Sequence, residues 1–213
     1  MEHHQITHHA VSRETFKETD RVFEKYREQL EAYLNRLLWW NKRVNLVSRN
    51  VPRETVREHL RHSLLLSQFD VFQSASTIVD AGTGGGLPGI PLAITHPDKL
   101  FVLNDIVSKK CLAMKQMIQD LGLKNAAVFD GSIENLKQQN PFLLISKHAF
   151  KINDLYEMTV HLPWQKMVLY KGMNFENELS DIDETLEIGS YDLSGESDFY
   201  KEKALIFIGR SNY

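Results

Sequence analysis

The sequence predicts an α/β fold: a doubly wound, mostly parallel sheet with an antiparallel strand near its C-terminal end and a helical extension in front of it. Three observations predict it. Short apolar runs alternate with amphipathic stretches from residue 77 onward, a glycine-rich loop follows the first of those runs, and helical periodicity fills the region upstream. A short apolar run bounded by turn residues is what a strand buried on both faces presents. The amphipathic stretch between two such runs supplies the crossover that parallel pairing requires.

At 213 residues the chain has room for one α/β core and a small appendage. Residues 1 to about 14 are expected to form a loosely ordered tail, 15–72 a helical extension and 73–213 the cofactor-binding α/β domain. In the tail, His3, His4, His8 and His9 have no acidic partner or structured frame for a metal, so a mobile, weakly chelating segment is expected. From Val22 the residues Val22, Phe23, Tyr26, Leu30, Tyr33, Leu34, Leu37 and Leu38 recur at spacings of three and four, which predicts one long helix ending near Trp39-Trp40. Both tryptophans are expected to pack the helices onto the sheet. Pro52 suits the first turn of a second helix, on which Arg53, Arg57 and Arg61 share a face.

Beyond Gln73-Ser74-Ala75-Ser76, buried parallel strands are expected at Thr77–Val79, Leu100–Leu103, Ala126–Phe129, Phe142–Ile145 and Met167–Tyr170. Trp164, after Pro163, is expected in a loop. Ser190–Leu193 and Ala204–Ile208, separated by a polar, glycine-containing loop, read as an antiparallel pair closing the sheet.

Composition narrows the function classes. With 42% apolar and 25% charged residues and no apolar run near the roughly 20 residues that cross a bilayer, a membrane span is not expected. The first ten residues carry four histidines, and no apolar stretch of the signal-peptide kind follows, so a cytoplasmic protein is expected. The single cysteine, Cys111, reads as a helix position without catalytic role. The net charge of −3 argues against a globally basic nucleic-acid binder, but the charge is unevenly placed. Between Asn41 and Arg61 six basic residues face two acidic ones, whereas Asn174 to Glu202 holds ten carboxylates and one lysine.

The glycine loop carries the chemistry. A strand ending in Asp80 and followed by Gly82-Thr83-Gly84-x-Gly86-Leu87 lets backbone approach a ligand at the carboxyl edge of the sheet. A literal Gly-x-Gly-x-x-Gly at Gly84, Gly86 and Gly89 keeps a dinucleotide in play. Asp80 would repel a pyrophosphate and can both organise the loop and face the cationic end of S-adenosylmethionine, which favours that cofactor. Asp105, ending the next strand, is placed to hold ribose hydroxyls in either case. His59 and His62 lie on one helix side, but with no cysteine cluster or third ligand at suitable spacing no metal is expected.

Trp40-Asn41-Lys42-x-x-Asn45-Leu46-x-Ser48, His59-x-x-His62-Ser63-Leu64, Gly82-Thr83-Gly84-Gly85-Gly86-Leu87-Pro88-Gly89-Ile90-Pro91, Ile145-Ser146-Lys147 and Tyr170-Lys171-Gly172 occur in this order. Together they resemble the bacterial small-subunit ribosomal RNA guanine-N7 methyltransferase family, also called glucose-inhibited division protein B. The resemblance covers about residues 20 to 210. It implies a Rossmann-like class I methyltransferase moving a methyl group from S-adenosylmethionine to guanine N7 in 16S ribosomal RNA. It further implies that Gly82 and Leu87 contact the methionine and ribose region and that Ile133 and Glu134 line the adenine. Lys147 stands in the cofactor region and Lys171 at the rim where RNA enters. Arg53, Arg57, Arg61, His59 and Asn45 are candidate RNA contacts, the arginine stripe reading equally well as a solvated face paired with Glu54 and Glu58.

Guanine N7 offers a lone pair and carries no proton, so no side chain need act as a base. Lys147 and Lys171 are candidates for positioning. The expected partner is 16S ribosomal RNA or the small subunit, and the expected state is a monomer. Ser132 and Lys147 stand where the family commonly has arginine, and His62 where it often has aspartate. These departures leave open a non-catalytic cofactor- or RNA-binding protein on the same fold. The glycine pattern leaves open, less favourably, an NAD-dependent oxidoreductase.

Overall fold

A computed structural model describes residues 4–210. In chain order the main elements are β1 (Gln5–Ala10), α1 (Arg13–Lys25), α2 (Arg27–Asn41), α3 (Arg53–Leu64), α4 (Asp70–Ser74), β2 (Thr77–Ala81), α5 (Gly89–Thr95), β3 (Leu100–Asp105), α6 (Ser108–Asp120) and β4 (Ala126–Asp130). They continue with β5 (Phe142–Lys147), α7 (Ile152–Thr159), β6 (Trp164–Gly172), β7 (Leu186–Asp192) and β8 (Lys203–Arg210). The eight strands form one sheet in the order β1-β7-β8-β6-β5-β2-β3-β4. Only β8 runs against its neighbours, β6 and β7. The expected mostly parallel sheet with an antiparallel C-terminal strand is therefore what the chain adopts.

Alternation along each strand divides two cores. Ile78, Phe101, Leu103, Leu143, Ile145, Val168 and Tyr170 point to the face covered by α1–α6. Val79, Ala81, Leu144, Met167 and Leu169 point to the face covered by α7 and the 173–185 segment. Leu30, Leu34, Leu37, Val56, Leu60 and Leu64 of the N-terminal helices belong to the first of these cores, so the helical extension and the sheet share one apolar interior. The sheet order reverses between β2 and β5, which opens a crevice at their carboxyl ends.

Four expectations are corrected. The single long helix is two, parted at Tyr26 (φ −111°, ψ 20°): α1 packs on α3 and the turn after it, whereas α2 packs on α5 and α6, and one straight rod cannot serve both. The residues expected to be a loose tail instead pair as β1, parallel to β7 from Gln5 opposite Glu187 to Ala10 opposite Asp192, with Ser12 capping α1. His4 Nε2 lies 3.2 Å from the Leu179 carbonyl, and His9 stacks on Tyr191 at 4.7 Å; His3 lies outside the described residues. Trp164 is buried at the start of β6 and donates its indole N–H to the Thr159 carbonyl at 2.9 Å, rather than lying open in a loop. Trp39 is 50% exposed, with the Arg43 guanidinium 3.5 Å from its ring, so it does not pack helix onto sheet.

Candidate active site

The carboxyl ends of β2, β3, β4 and β5 open into a cavity of about 620 Å³. Gly82, Thr83, Gly84, Gly85 and Leu87 form one wall, Asp105, Ile106 and Val107 another, and Ser132, Ile133 and Lys147 close the far side. Gly82, Gly84 and Gly86 have φ of +67°, +62° and +97°, backbone that side-chain-bearing residues avoid.

Asp80 holds this loop from beneath. Its Oδ2 accepts from the Thr83 hydroxyl at 2.6 Å and from the Gly89 N–H at 2.8 Å, clamping both ends of the turn. Asp80 is fully buried beneath the loop and is not among the residues that line the cavity. Gly86 also lies off the lining, and a Cβ there would meet Ile90. Tyr33 reaches up from α2 to donate to the Gly85 carbonyl at 2.9 Å. Asn104 stitches β3 to β4, donating to the carbonyls of Phe129 and Gly131.

Asp105 is the carboxylate of the cavity. Oδ2 accepts from Gly84 N–H at 3.0 Å and lies 3.8 Å from Lys110 Nζ, and Oδ1 accepts from Val107 N–H at 2.9 Å, so acceptor capacity remains, most freely on Oδ1. Beside it Ile106 is 71% exposed, an apolar surface at the cavity edge with no protein cover. A paired carboxylate with spare acceptor capacity, a strip of backbone free of side chains, and apolar walls at Ile106, Val107, Leu87 and Ile133 fit a nucleoside with a vicinal diol. Ile133 lines the cavity as expected; Glu134 is not in its lining and accepts from the hydroxyl of Ser132, which is, at 3.1 Å.

The N-terminal extension supplies a wall that sequence reasoning missed. The Asn41 side-chain oxygen Oδ1 accepts from the N–H groups of Leu46 and Val47, both at 2.9 Å, folding the 42–51 loop so that Leu46, Val47, Ser48 and Val51 line the cavity. The Asn-rich motif around residues 41–48 was the available signal. Asn45, expected to meet RNA, is exposed on the outer side of this loop.

Lys147 and His59 meet at the cavity floor. Lys147 Nζ lies 3.0 Å from His59 Nδ1, within hydrogen-bond distance; a charged Lys147 donates to a neutral imidazole, and a free amine can accept from Nδ1–H. Burial, reinforced by the nearby Lys147, pushes His59 down to about 3. Burial and the Lys203 charge lower Lys147 to about 7, against the pull of Asp80. The site thus holds a lysine that is only partly charged near neutrality.

Other expected contacts fall elsewhere. Lys171 pairs with Glu178 at 2.5 Å and donates to the Phe150 carbonyl, in a separate cavity of about 210 Å³. The arginine stripe is neutralised within the protein. Arg53 and Arg57 close on Glu31 of α2 at 2.5 and 2.7 Å, Arg57 also holds Glu54, and Arg61 holds Glu58 at 2.8 Å and Asp20 at 3.4 Å. Among the described residues no cluster of three His, Cys, Asp or Glu side chains is placed to hold a metal, and no helix is long and apolar enough to cross a membrane.

His62 is fully buried, ringed by Tyr170, Phe199 and Tyr200, and neither ring nitrogen has a hydrogen-bond partner. Burial holds its pKa well below the usual 6.5, so the folded protein leaves it neutral where the unfolded chain takes up a proton. Its contribution to stability is therefore lost as pH falls through 6.5, by about 1.4 kcal/mol per pH unit. His62→Leu is expected to remove that term, leaving the variant roughly 2 kcal/mol more stable than the wild type at about pH 5. A further gain of about 1 kcal/mol, from loss of two unpaired polar atoms, should persist at neutral pH. Urea unfolding at both pH values tests this, and equal acid sensitivity in the two proteins would show that His62 is protonated or partnered in the fold.

Solved structures share this architecture. The O-methyltransferase from Bacillus cereus in complex with SAH superposes with a TM-score of 0.56 at 16% identity, over 84% of this chain and 90% of that one. A putative O-methyltransferase from Klebsiella pneumoniae gives 0.55 at 15% identity, over 85% and 90%. The fold, with its glycine loop after β2 and carboxylate after β3, is the Rossmann-like fold of these class I methyltransferases.

Sequence comparison then narrows the class. Residues 26–199 match the family model described as rRNA small subunit methyltransferase G. Ribosomal RNA small subunit methyltransferase G of Chlorobium limicola is 34% identical over 91% of this chain and 93% of its own length. That of Vibrio campbellii is 36% identical over 78% and 80%. The chain belongs to the rRNA small subunit methyltransferase G family.

Proposed function

We propose that this chain transfers a methyl group from S-adenosylmethionine to N7 of a guanine in 16S ribosomal RNA. The observation that carries the cofactor is Asp105, hydrogen-bonded to the Gly84 and Val107 N–H groups with acceptor capacity to spare, at the edge of a cavity whose other wall is the side-chain-free backbone of the glycine loop. Family membership carries the substrate.

Bound S-adenosylmethionine would supply an electrophilic sulfonium methyl group to the guanine N7 lone pair, its sulfur keeping the electron pair of the carbon–sulfur bond. No proton moves, so the protein needs no general base. What it must supply is alignment, worth on the order of 7 to 11 kcal/mol when the reacting atoms are held in place. Asp105 orients the ribose end, the Gly82–Leu87 loop fixes the amino-acid end, and Ile106, Val107 and Ile133 cover the base.

The methylated guanine is cationic, and a fully charged lysine beside it would oppose the reaction. Lys147, lowered to about 7 and held by neutral His59, meets that charge partly as a free amine, or pairs with a phosphate when protonated. Ribosomal RNA as substrate supports a cytoplasmic setting, and the chain is proposed to act as a monomer.

Mapping N7-methylguanine in unmodified 16S RNA and small subunits, with and without the protein and cofactor, tests the reading. One protein-dependent N7-methylguanine is expected. Binding of S-adenosylmethionine without methylation of either substrate would defeat the substrate assignment, and binding of NAD in its place would defeat the cofactor assignment.

A further inference from the structure

The 42–51 loop has two sides. Leu46, Val47 and Ser48 face the cofactor cavity, whereas Lys42, Arg43, Asn45 and Arg49 face a second concave surface of about 720 Å³ between the end of α2 and the start of α3. Val51 borders both. The six basic residues between 41 and 61 divide in the same way. Arg53, Arg57 and Arg61 are held by Glu31, Glu54, Glu58 and Asp20. Lys42, Arg43 and Arg49 have no carboxylate within 4.0 Å among the described residues. The outer side of the loop therefore carries a positive charge that the protein does not itself neutralise.

An aromatic surface lies in the same place. Trp39 is 50% exposed, its ring orientation fixed by the Arg43 guanidinium at 3.5 Å and by Trp40 packed edge-on at 5.1 Å. Arg43 is anchored in turn by donating to the Trp39 carbonyl at 2.9 Å. A preoriented indole flanked by unpaired cations matches what single-stranded nucleic acid presents, a base to stack and phosphates to neutralise.

We infer that this outer face is the docking surface for single-stranded or loop RNA. Lys42, Arg43 and Arg49 take its phosphates and Trp39 stacks one of its bases, so that a neighbouring nucleotide passes over the 42–51 loop into the cofactor cavity. The inference rests on the proposed RNA substrate and relocates its entry from the arginine stripe, whose charges are already paired, to the loop beside it. An acidic protein segment would satisfy the cations, but it has no use for the preoriented indole.

The test compares the full-length wild type with Trp39→Ala and with the triple variant Lys42→Gln/Arg43→Gln/Arg49→Gln. Anisotropy of a labelled single-stranded oligoribonucleotide is followed from about 50 to about 200 mM salt. The triple variant is expected to bind more weakly, with the slope of log affinity against log salt reduced by about 2, as loss of three phosphate contacts predicts for a single strand. Trp39→Ala is expected to bind about tenfold more weakly with an unchanged salt slope. Calorimetric affinity for S-adenosylmethionine should be unchanged in both, which shows that they are folded and separates this surface from the cofactor site. Should the triple variant lose its fold, Lys42→Gln and Arg49→Gln singly, each expected to reduce the slope by about 0.7, replace it.

An unchanged slope in the charge variants, or no measurable binding of the oligoribonucleotide by the wild type, overturns the inference. Lost affinity for poly-glutamate with RNA binding intact overturns it in favour of an acidic protein partner. Wild-type RNA affinity lost in the variants, in a protein that nonetheless methylates no 16S RNA, sustains the surface while the proposed reaction fails.

Discussion

Asp80→Ala is expected to abolish cofactor binding and to destabilise the protein by about 3 kcal/mol, whereas Asp80→Asn should retain both binding and fold. Alanine leaves the buried Gly89 N–H and the Thr83 hydroxyl without the acceptor that clamps the turn. Asparagine can place its carbonyl oxygen where Oδ2 stands and its amide at the unpartnered Oδ1 position.

Burial raises the Asp80 carboxyl to about 7, outweighing the hydrogen bonds from Thr83 and Gly89 that favour the anion. A folded pKa above the unfolded value of about 3.9 means that the stability Asp80 contributes is fully present below that value. It is lost as pH rises through 7. Asparagine does not ionise, so at about pH 8 the Asp80→Asn variant should melt above the wild type, and the difference should shrink as pH falls from about 7 towards about 4. Thermal melts across that range and calorimetric titration of S-adenosylmethionine measure both effects; normal cofactor affinity in Asp80→Ala would show that the loop keeps its shape without the clamp.

Gly82→Ala is expected to lower cofactor affinity at least about a hundredfold. The φ of +67° already costs a side-chain-bearing residue roughly 1–2 kcal/mol. The new Cβ would also lie 2.5 Å from the Ala149 Cβ and 2.7 Å from the Phe150 ring, both parts of the cavity wall, so loop and wall must separate. Gly122→Ala is the control for strain alone, since Gly122 shares a positive φ of +65° but a Cβ there meets nothing within 4 Å. It should cost only about 1 kcal/mol and leave affinity untouched. Equal effects at the two positions would locate the role of Gly82 in backbone conformation rather than in close approach.

The core strands were legible to within a residue or two at β2, β3 and β5, because a strand buried on both faces must be an uninterrupted apolar run; β4 was also placed to within a residue, but it is an edge strand with no fully buried side chain rather than the buried strand expected. β6 and β7 start earlier than expected, at Trp164 and Leu186: in β6 the exposed Gln165 and Lys166 part the buried Trp164 from Met167, and in β7 the buried Leu186 and Ile188 alternate with the exposed Glu187 and half-buried Gly189 in a run too short to stand out. β1 was illegible for a related reason. As an edge strand its side chains from Thr7 to Ala10 are exposed, so it carries no apolar period, and only the β7 backbone makes it a strand.

The cofactor loop, the carboxylate after β3, and their position at the sheet's carboxyl edge were determined by the sequence itself, since positive φ, strand alternation and loop length act within a few residues of one another. The partners of charges and rings were decided only by the tertiary structure. Arg57 meets Glu31 from 26 residues away, Lys147 meets His59 from 88, and Asn41 rather than any sheet residue shapes the cavity's outer wall. Arg57 and Lys42 are the same kind of residue in one basic stretch, yet one is neutralised and the other is not. A charge is free or paired according to the nearest opposite charge in space, and that neighbour exists only once the helices have packed.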